Sequence, residues 1–337
     1  MKQDIAERIE KVPQPYWRHV DVFIKLIDYI ISELRRYAEN EDDSPPALED
    51  VMITLDSLAR PASVLHNALV DRIDKSDNTC ELISEYFLLD MARKIGYLQF
   101  SPIVSIHSQP SKVTCIYPIC LTEKDASDPA IFFVSTKICK DPLLLPVMAH
   151  EMGHMLRHER ARDERPEVNE LLCDLFGAVV CGLAYLNSVL DTVDTEDIFT
   201  IKDKHPPWDV RVDQIIVLLR RILDENVEED VEELICALKK LDQKWIELRD
   251  RSSKPTGYEG YLHKIQMSTT IEKAQNMLQK EITKRNIDTS KFMINAHNDG
   301  GPIELVYKNF LLKMHDEDDI VDIKPEILDW GRRLRGG

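Results

Sequence analysis

Positive charge is what this chain is shortest of. Its 43 lysines and arginines face 60 aspartates and glutamates, which leaves a net charge of −17 and a pI near 5.1. Phosphate backbones and anionic membrane surfaces both attract basic patches, so this balance speaks against nucleic acid or a charged bilayer as partner. Also missing is any run of about 18 uncharged apolar residues, and the first segment, Met1 to Lys11, is charged and helix-like, with no apolar signal core. These absences predict a cytoplasmic protein with no membrane span. Cys-x-x-Cys pairs are lacking as well: Cys80, Cys115, Cys120, Cys139, Cys173, Cys181 and Cys236 are odd in number and scattered. That pattern predicts reduced, mostly buried thiols rather than a redox site or zinc ribbon.

What is present suits a folded protein of one large or two modest domains, with 337 residues of which 43% are hydrophobic. Three regions are predicted. Region 1–96 is helical: Trp17, Val20, Ile24, Ile27, Ile31 and Leu34 form one amphipathic stripe. Leu48 to Leu69 form a second, kinked at Pro61, and a third helix over about Glu81 to Ile95 stops at Gly96. Region 97–224 begins with short β-rich runs, Ile103 to Ile106, Val113 to Tyr117 and Ile131 to Thr136, read as a small antiparallel sheet. The last run lies just ahead of the principal motif, either as an edge open to an extended peptide or as a buried central strand. Region 225–337 is helical and charged, over about Glu228 to Arg249 and Tyr261 to Ile282, with a turn at Asn298 to Pro302 and an acidic stretch from Asp316 to Asp322. The fold class is therefore α+β and mainly helical, with helical extensions on both sides of a compact centre.

The chemistry concentrates in His150-Glu151-Met152-Gly153-His154, set in the apolar run Leu143 to Leu156. Residues four apart share a helix face, so His150 and His154 can aim two imidazoles at one metal ion, most naturally zinc. Glu151 adjoins the first ligand and reaches a water on that metal without binding the ion, the position a general base for hydrolysis requires. Fifteen residues separate His154 from Glu170, with Asp174 four further on, in an otherwise apolar helix from Pro166 through Leu190. A turn and return lay this helix across the first. Glu170 then supplies the third ligand, and Asp174 accepts the remaining ring N–H of a ligand histidine. Further on, His205-Pro206-Pro207-Trp208-Asp209-Val210-Arg211 is a stiff loop leading into a helix to about Leu223. Taken alone, His205 and Arg211 read as a loop histidine and a surface arginine, or as donors presented by that loop.

The three motifs, in this order, resemble those of the gluzincin metallopeptidases, specifically the group with the HtpX heat-shock proteases and CAAX-prenyl proteases. There the pattern is His-Glu-x-x-His, then Glu-x-x-Ala-Asp, then His-Pro-Pro followed by arginine. The resemblance implies a gluzincin-type core with one zinc per chain on His150, His154 and Glu170, Glu151 as base, and Asp174 behind a ligand histidine. It also implies that His205 and Arg211 lie near the site, able to donate to the oxyanion or substrate. It spans about Ile131 to Leu223. The interval between the first two motifs is short for that group, Cys173 stands where alanine is usual, and the membrane helices of its best-known members are missing, which implies a soluble relative. The second motif is also similar to the Glu-x-x-Ala-Asn-x-Phe-Ala of ImmA/IrrE-type peptidases, with Phe176 and Ala178 in place, although no helix-turn-helix accompanies it. A metzincin would need Gly at 157 and His at 160, and both are arginine.

The expected activity is zinc-dependent endopeptidase hydrolysis of a cytosolic protein substrate. Rival expectations are a binding or regulatory protein whose zinc site is structural or latent, and a zinc hydrolase acting on something other than a peptide. The helical flanks offer faces for a regulatory protein partner. The final Arg332-Arg333-Leu334-Arg335-Gly336-Gly337 resembles the end of ubiquitin-like modifiers.

Overall fold

The computed structural model describes residues 78–97, 100, 102–107, 114–118, 130–157, 166–200, 205–226, 231–252, 260–289, 300–315 and 321–334, with isolated positions between 20 and 67. The predicted Leu48 to Leu69 stripe with its Pro61 kink, the acidic stretch after His315 and the final three residues lie largely or wholly outside them. Of the first stripe, Val20 is buried and Ile27 and Ile31 are half-buried, while Ile24 is exposed.

The described chain runs α1 (Thr79–Lys94), β1 (Pro102–His107), β2 (Thr114–Pro118), β3 (Ala130–Ser135) and α2 (Thr136–Lys140). A 3-10 segment (Pro142–Val147) leads into α3 (Met148–Arg157), and then come α4 (Pro166–Thr192), α5 (Trp208–Asp224), α6 (Glu232–Arg251), α7 (Gly260–Arg285), α8 (Pro302–Met314) and α9 (Lys324–Leu334). The protein is mainly helical, with one small sheet.

That sheet corrects the antiparallel expectation. Its order is β1-β3-β2, and β1 lies parallel to β3, with Val104 opposite Phe132. Only β2 runs antiparallel to β3, with Ile116 opposite the same Phe132. A parallel pair needs a connection of about a dozen residues or more; residues 108–129, with β2 inside them, supply it. β3 is thus the central strand, with Ile131, Phe132 and Val134 fully buried, and of the two readings of this run the edge gives way to the interior.

The lead into the helix that carries His150 and His154 is locally encoded. Ser135 ends β3 and caps α2 by accepting from Lys137 N. Asp141 accepts from Leu143 N at 3.0 Å and starts the 3-10 segment, with Pro142 as its first residue. Pro146 has no N–H to give to a longer helix, so the α-helix proper begins at Met148.

One apolar core runs through all three regions, from Phe87 and Met91 through Met152, Leu175 and Leu219 to Trp245, Phe310 and Trp330. The first and last regions meet there. Asp90 on α1 accepts from Ile303 N at 3.0 Å and so caps α8 from 213 residues away. Helix α4 is the centre of the molecule. It is long and apolar enough to cross a membrane, but its apolar window is wholly buried among the other elements.

A second correction concerns the cysteines. Cys80 at the start of α1 and Cys139 at the end of α2 form a disulfide, with Cα atoms 5.0 Å apart. The prediction of reduced thiols holds for Cys173, Cys181 and Cys236, of which the first two are buried. Spacing along the chain could not reveal the pair, because α1 and α2 are joined only through the sheet. Cys139→Ser should lower unfolding free energy by up to about 4 kcal/mol, the chain-entropy value for a 59-residue separation. Urea denaturation with and without reductant measures this, and coincident midpoints would refute the bond.

Candidate metal centre

The site forms where α3 crosses α4. Gly153, the fourth residue of the pentapeptide, lies at the crossing: a Cβ there would come within 3.0 Å of the Cys173 Cα. With no side chain in the way, the two backbones approach closely enough for residues of α4 to reach the imidazoles of α3.

Three donor atoms then face one another. His150 Nε2 lies 3.2 Å from His154 Nε2 and 3.1 Å from Glu170 Oε2, and His154 Nε2 lies 3.5 Å from Glu170 Oε1. Ligands about 2.0–2.1 Å from a tetrahedral ion are about 3.3 Å from each other, so these separations, measured to one or the other Glu170 oxygen, suit side chains that share one ion. His150, His154 and Glu170 can hold a metal ion.

The partner of the other ring nitrogen points the same way. His150 Nδ1 donates to Asp174 Oδ1 at 2.9 Å, and a carboxylate only accepts, so Nδ1 carries the proton. A neutral His150 therefore turns its Nε2 lone pair toward a second imidazole and a carboxylate. Without a cation between them that convergence is unfavourable, and in the metal-free protein a proton provides it. Burial alone would push His150 down, but Asp174 and Glu170 outweigh it and hold the imidazolium up to about 10. His154 moves down, through burial and the charge of His150. Glu170 is held well below the usual carboxylate range, because the hydrogen bonds from His150 and His205 overcome its burial.

Glu151 lies close enough to both imidazoles for its charge to favour their protonated forms, while the ligand set is complete without it. His205 reaches the site from the loop before α5. Its Nε2 is 3.0 Å from Glu170 Oε2, and its side chain is 46% exposed.

Arg211 is elsewhere. Neither a surface residue nor a donor in the cleft, it is 5% exposed, and its Nε and Nη2 donate to the two oxygens of Asp174 at 2.5 and 2.8 Å. The guanidinium also stacks on Trp208, 3.9 Å above the ring. Pro207 starts α5, and one turn later Arg211 is carried inward against Asp174. This corrects the oxyanion role: a guanidinium bound in bidentate fashion by a buried carboxylate is committed to that carboxylate. Arg211 and His150 together hold Asp174 below the usual carboxylate range despite complete burial.

Two further residues belong to the arrangement. Cys173 Sγ lies 3.4 Å from His154 Nδ1, so the second imidazole also has a partner on its far side. Tyr185 donates its hydroxyl to Asp174 Oδ1 at 2.8 Å. The substitution of cysteine for the usual alanine was the one sequence signal for the first. Tyr185 had none, since eleven residues along a straight helix is far out of reach.

Proton displacement makes the metal centre testable. His150 is raised in the folded protein from its ordinary 6.5 to about 10. Its stabilising contribution is therefore complete below pH 6.5 and lost as pH rises through 10. A metal ion bound there would take the place of that proton, so affinity should climb with pH over the same window, and binding near pH 7.5 should release close to one proton from His150. Calorimetry in buffers of different ionisation enthalpy counts the protons; a count near zero would contradict the arrangement.

Compared with known proteins, the chain matches no family model, no curated protein and no solved structure.

Proposed function

We propose that this protein is a zinc-dependent endopeptidase with a gluzincin-type centre. The observation that carries the reading is the triangle of His150, His154 and Glu170 donor atoms with Glu151, a carboxylate outside the ligand set, beside it. Three protein ligands leave a tetrahedral ion one open position, which a closed structural site does not. A zinc ion held there supplies Lewis acidity, which polarises a carbonyl and acidifies water.

The chain's own residues do the rest. Glu151 takes the proton of the attacking water and delivers it to the leaving amine nitrogen as the C–N bond breaks. His205 Nε2 pairs with Glu170 Oε2 and its side chain is half exposed, so with Glu170 bound to the metal its N–H can turn to the negative charge that develops on the carbonyl oxygen. Asp174 keeps the His150 proton on Nδ1, so that Nε2 is free to bind. An extended substrate fits the sheet: among the described residues β2 is bonded to β3 along one edge only, and it runs beside α3. A peptide laid along its other edge would be held by backbone hydrogen bonds next to the reacting centre.

The test is digestion of a proteome-derived peptide library by zinc-loaded wild type and by Glu151→Gln at matched zinc content, read by mass spectrometry. Cleavages made only by the wild type support the proposal. Identical product lists from the two proteins would defeat it.

A further inference from the structure

The long central helix is not straight. Within α4, Gly182 has φ 54° and ψ −138°, a conformation closed to side-chain-bearing residues in ordinary circumstances, and the helix breaks there. In an unbroken helix the Cα atoms of Asp174 and Tyr185 would be about 16 Å apart, beyond the reach of a tyrosine. Instead the second half of α4 brings Tyr185 back over the first, and its hydroxyl meets Asp174 Oδ1 at 2.8 Å. The slot it occupies is provided by Gly177, where a Cβ would lie 2.5 Å from the tyrosine ring. Two glycines and one tyrosine thus cooperate to set a single neutral donor against the carboxylate behind His150.

Packing alone does not explain the hydroxyl. Tyr185 is 1% exposed, and phenylalanine would fill the same slot without burying a polar group. Nor is it needed for charge balance, because Arg211 already donates to both oxygens of Asp174. What the hydroxyl adds is direction. Oδ1 receives Tyr185, Arg211 Nη2 and His150 Nδ1 together, and these donors fix the rotation of the carboxylate that orients the imidazole.

We propose that Tyr185 is a positioning residue of the metal centre, acting through Asp174 to hold the His150 ring in its metal-binding orientation. The inference rests on the zinc reading of the site.

Tyr185→Phe tests it, since the ring is retained and Asp174 keeps its donors from Arg211 and His150, so the variant should fold. Zinc affinity is measured by competition with a chromophoric chelator. Solvent exchange of the His150 Nδ1–H is followed by NMR on the zinc-loaded proteins. The expected result is an affinity about tenfold weaker, the low end of the range for residues that support a ligand, together with faster Nδ1–H exchange. Wild-type affinity with unchanged exchange in the variant would overturn the role of Tyr185 while leaving the metal centre intact. Failure of the wild type itself to take up zinc would overturn the metal reading, and the two failures are told apart by the wild-type measurement alone.

Discussion

Glu151→Gln is expected to bind zinc as tightly as the wild type and to lose about 100- to 10,000-fold in kcat. The amide keeps the size and hydrogen-bonding reach of the carboxylate but cannot accept the proton of the attacking water. Because Glu151 is not one of the three donors, the triangle of His150, His154 and Glu170 is unchanged in the variant. The loss should therefore fall on kcat with little change in KM, the signature of an interaction made only in the transition state. Steady-state kinetics on a peptide identified from the library, with zinc content verified for both proteins, provides the check. Turnover within tenfold of the wild type would remove Glu151 from the role of base.

Asp174→Ala is expected to cost about 3–5 kcal/mol of stability, the usual penalty for removing one partner of a buried ion pair. Asp174 is completely buried and Arg211 nearly so, and the substitution strands a guanidinium with no carboxylate and Tyr185 with no acceptor. Zinc affinity should fall about 10- to 100-fold as well, since His150 loses the group that fixes its tautomer. Urea denaturation of the metal-free proteins isolates the first effect and chelator competition the second. Arg211→Met in the Asp174→Ala background should recover part of the stability by removing the stranded charge, and none of the metal affinity. If Asp174→Ala unfolds within about 1 kcal/mol of the wild type, the buried pair does not carry the weight assigned to it here.

The contrast between these substitutions follows from where each residue sits relative to solvent. Glu151, the proposed base, is half-buried, and a change of chemistry there need not disturb packing. Asp174 lies in the interior and joins α3, the two halves of α4 and α5 at a single carboxylate. The centre is thus built into the core: the elements that bury the protein's apolar surface also orient its ligands.

Much of this centre was written in short intervals. The four-residue spacing of His150 and His154 and that of Glu170 and Asp174 place each pair on one helix face, and a helix return after His154 brings the two pairs together. The caps at Ser135 and Asp141, the start of α3 after Pro146 and the stop at Gly96, where φ is +72°, follow from residues adjacent to the features they set. Local chemistry is legible because its partners lie a few residues apart.

The rest depended on distances that the chain does not display. A parallel β1–β3 pair, the Cys80–Cys139 bond and the capping of α8 by Asp90 join positions 28 to 213 residues apart, and only the packed fold selects those partners. Arg211 is the sharpest case. Its place in the first turns of α5 was evident, yet whether that turn faced the cleft or the interior was decided by how α5 lies against α4, and it faces Asp174. Tyr185 likewise reaches the site only because the helix reverses at Gly182. By itself the sequence determined which residues are candidates for the chemistry; the tertiary structure decided which of them converge as possible metal ligands and which stand behind those, because burial and long-range contact, not spacing, choose between those two places.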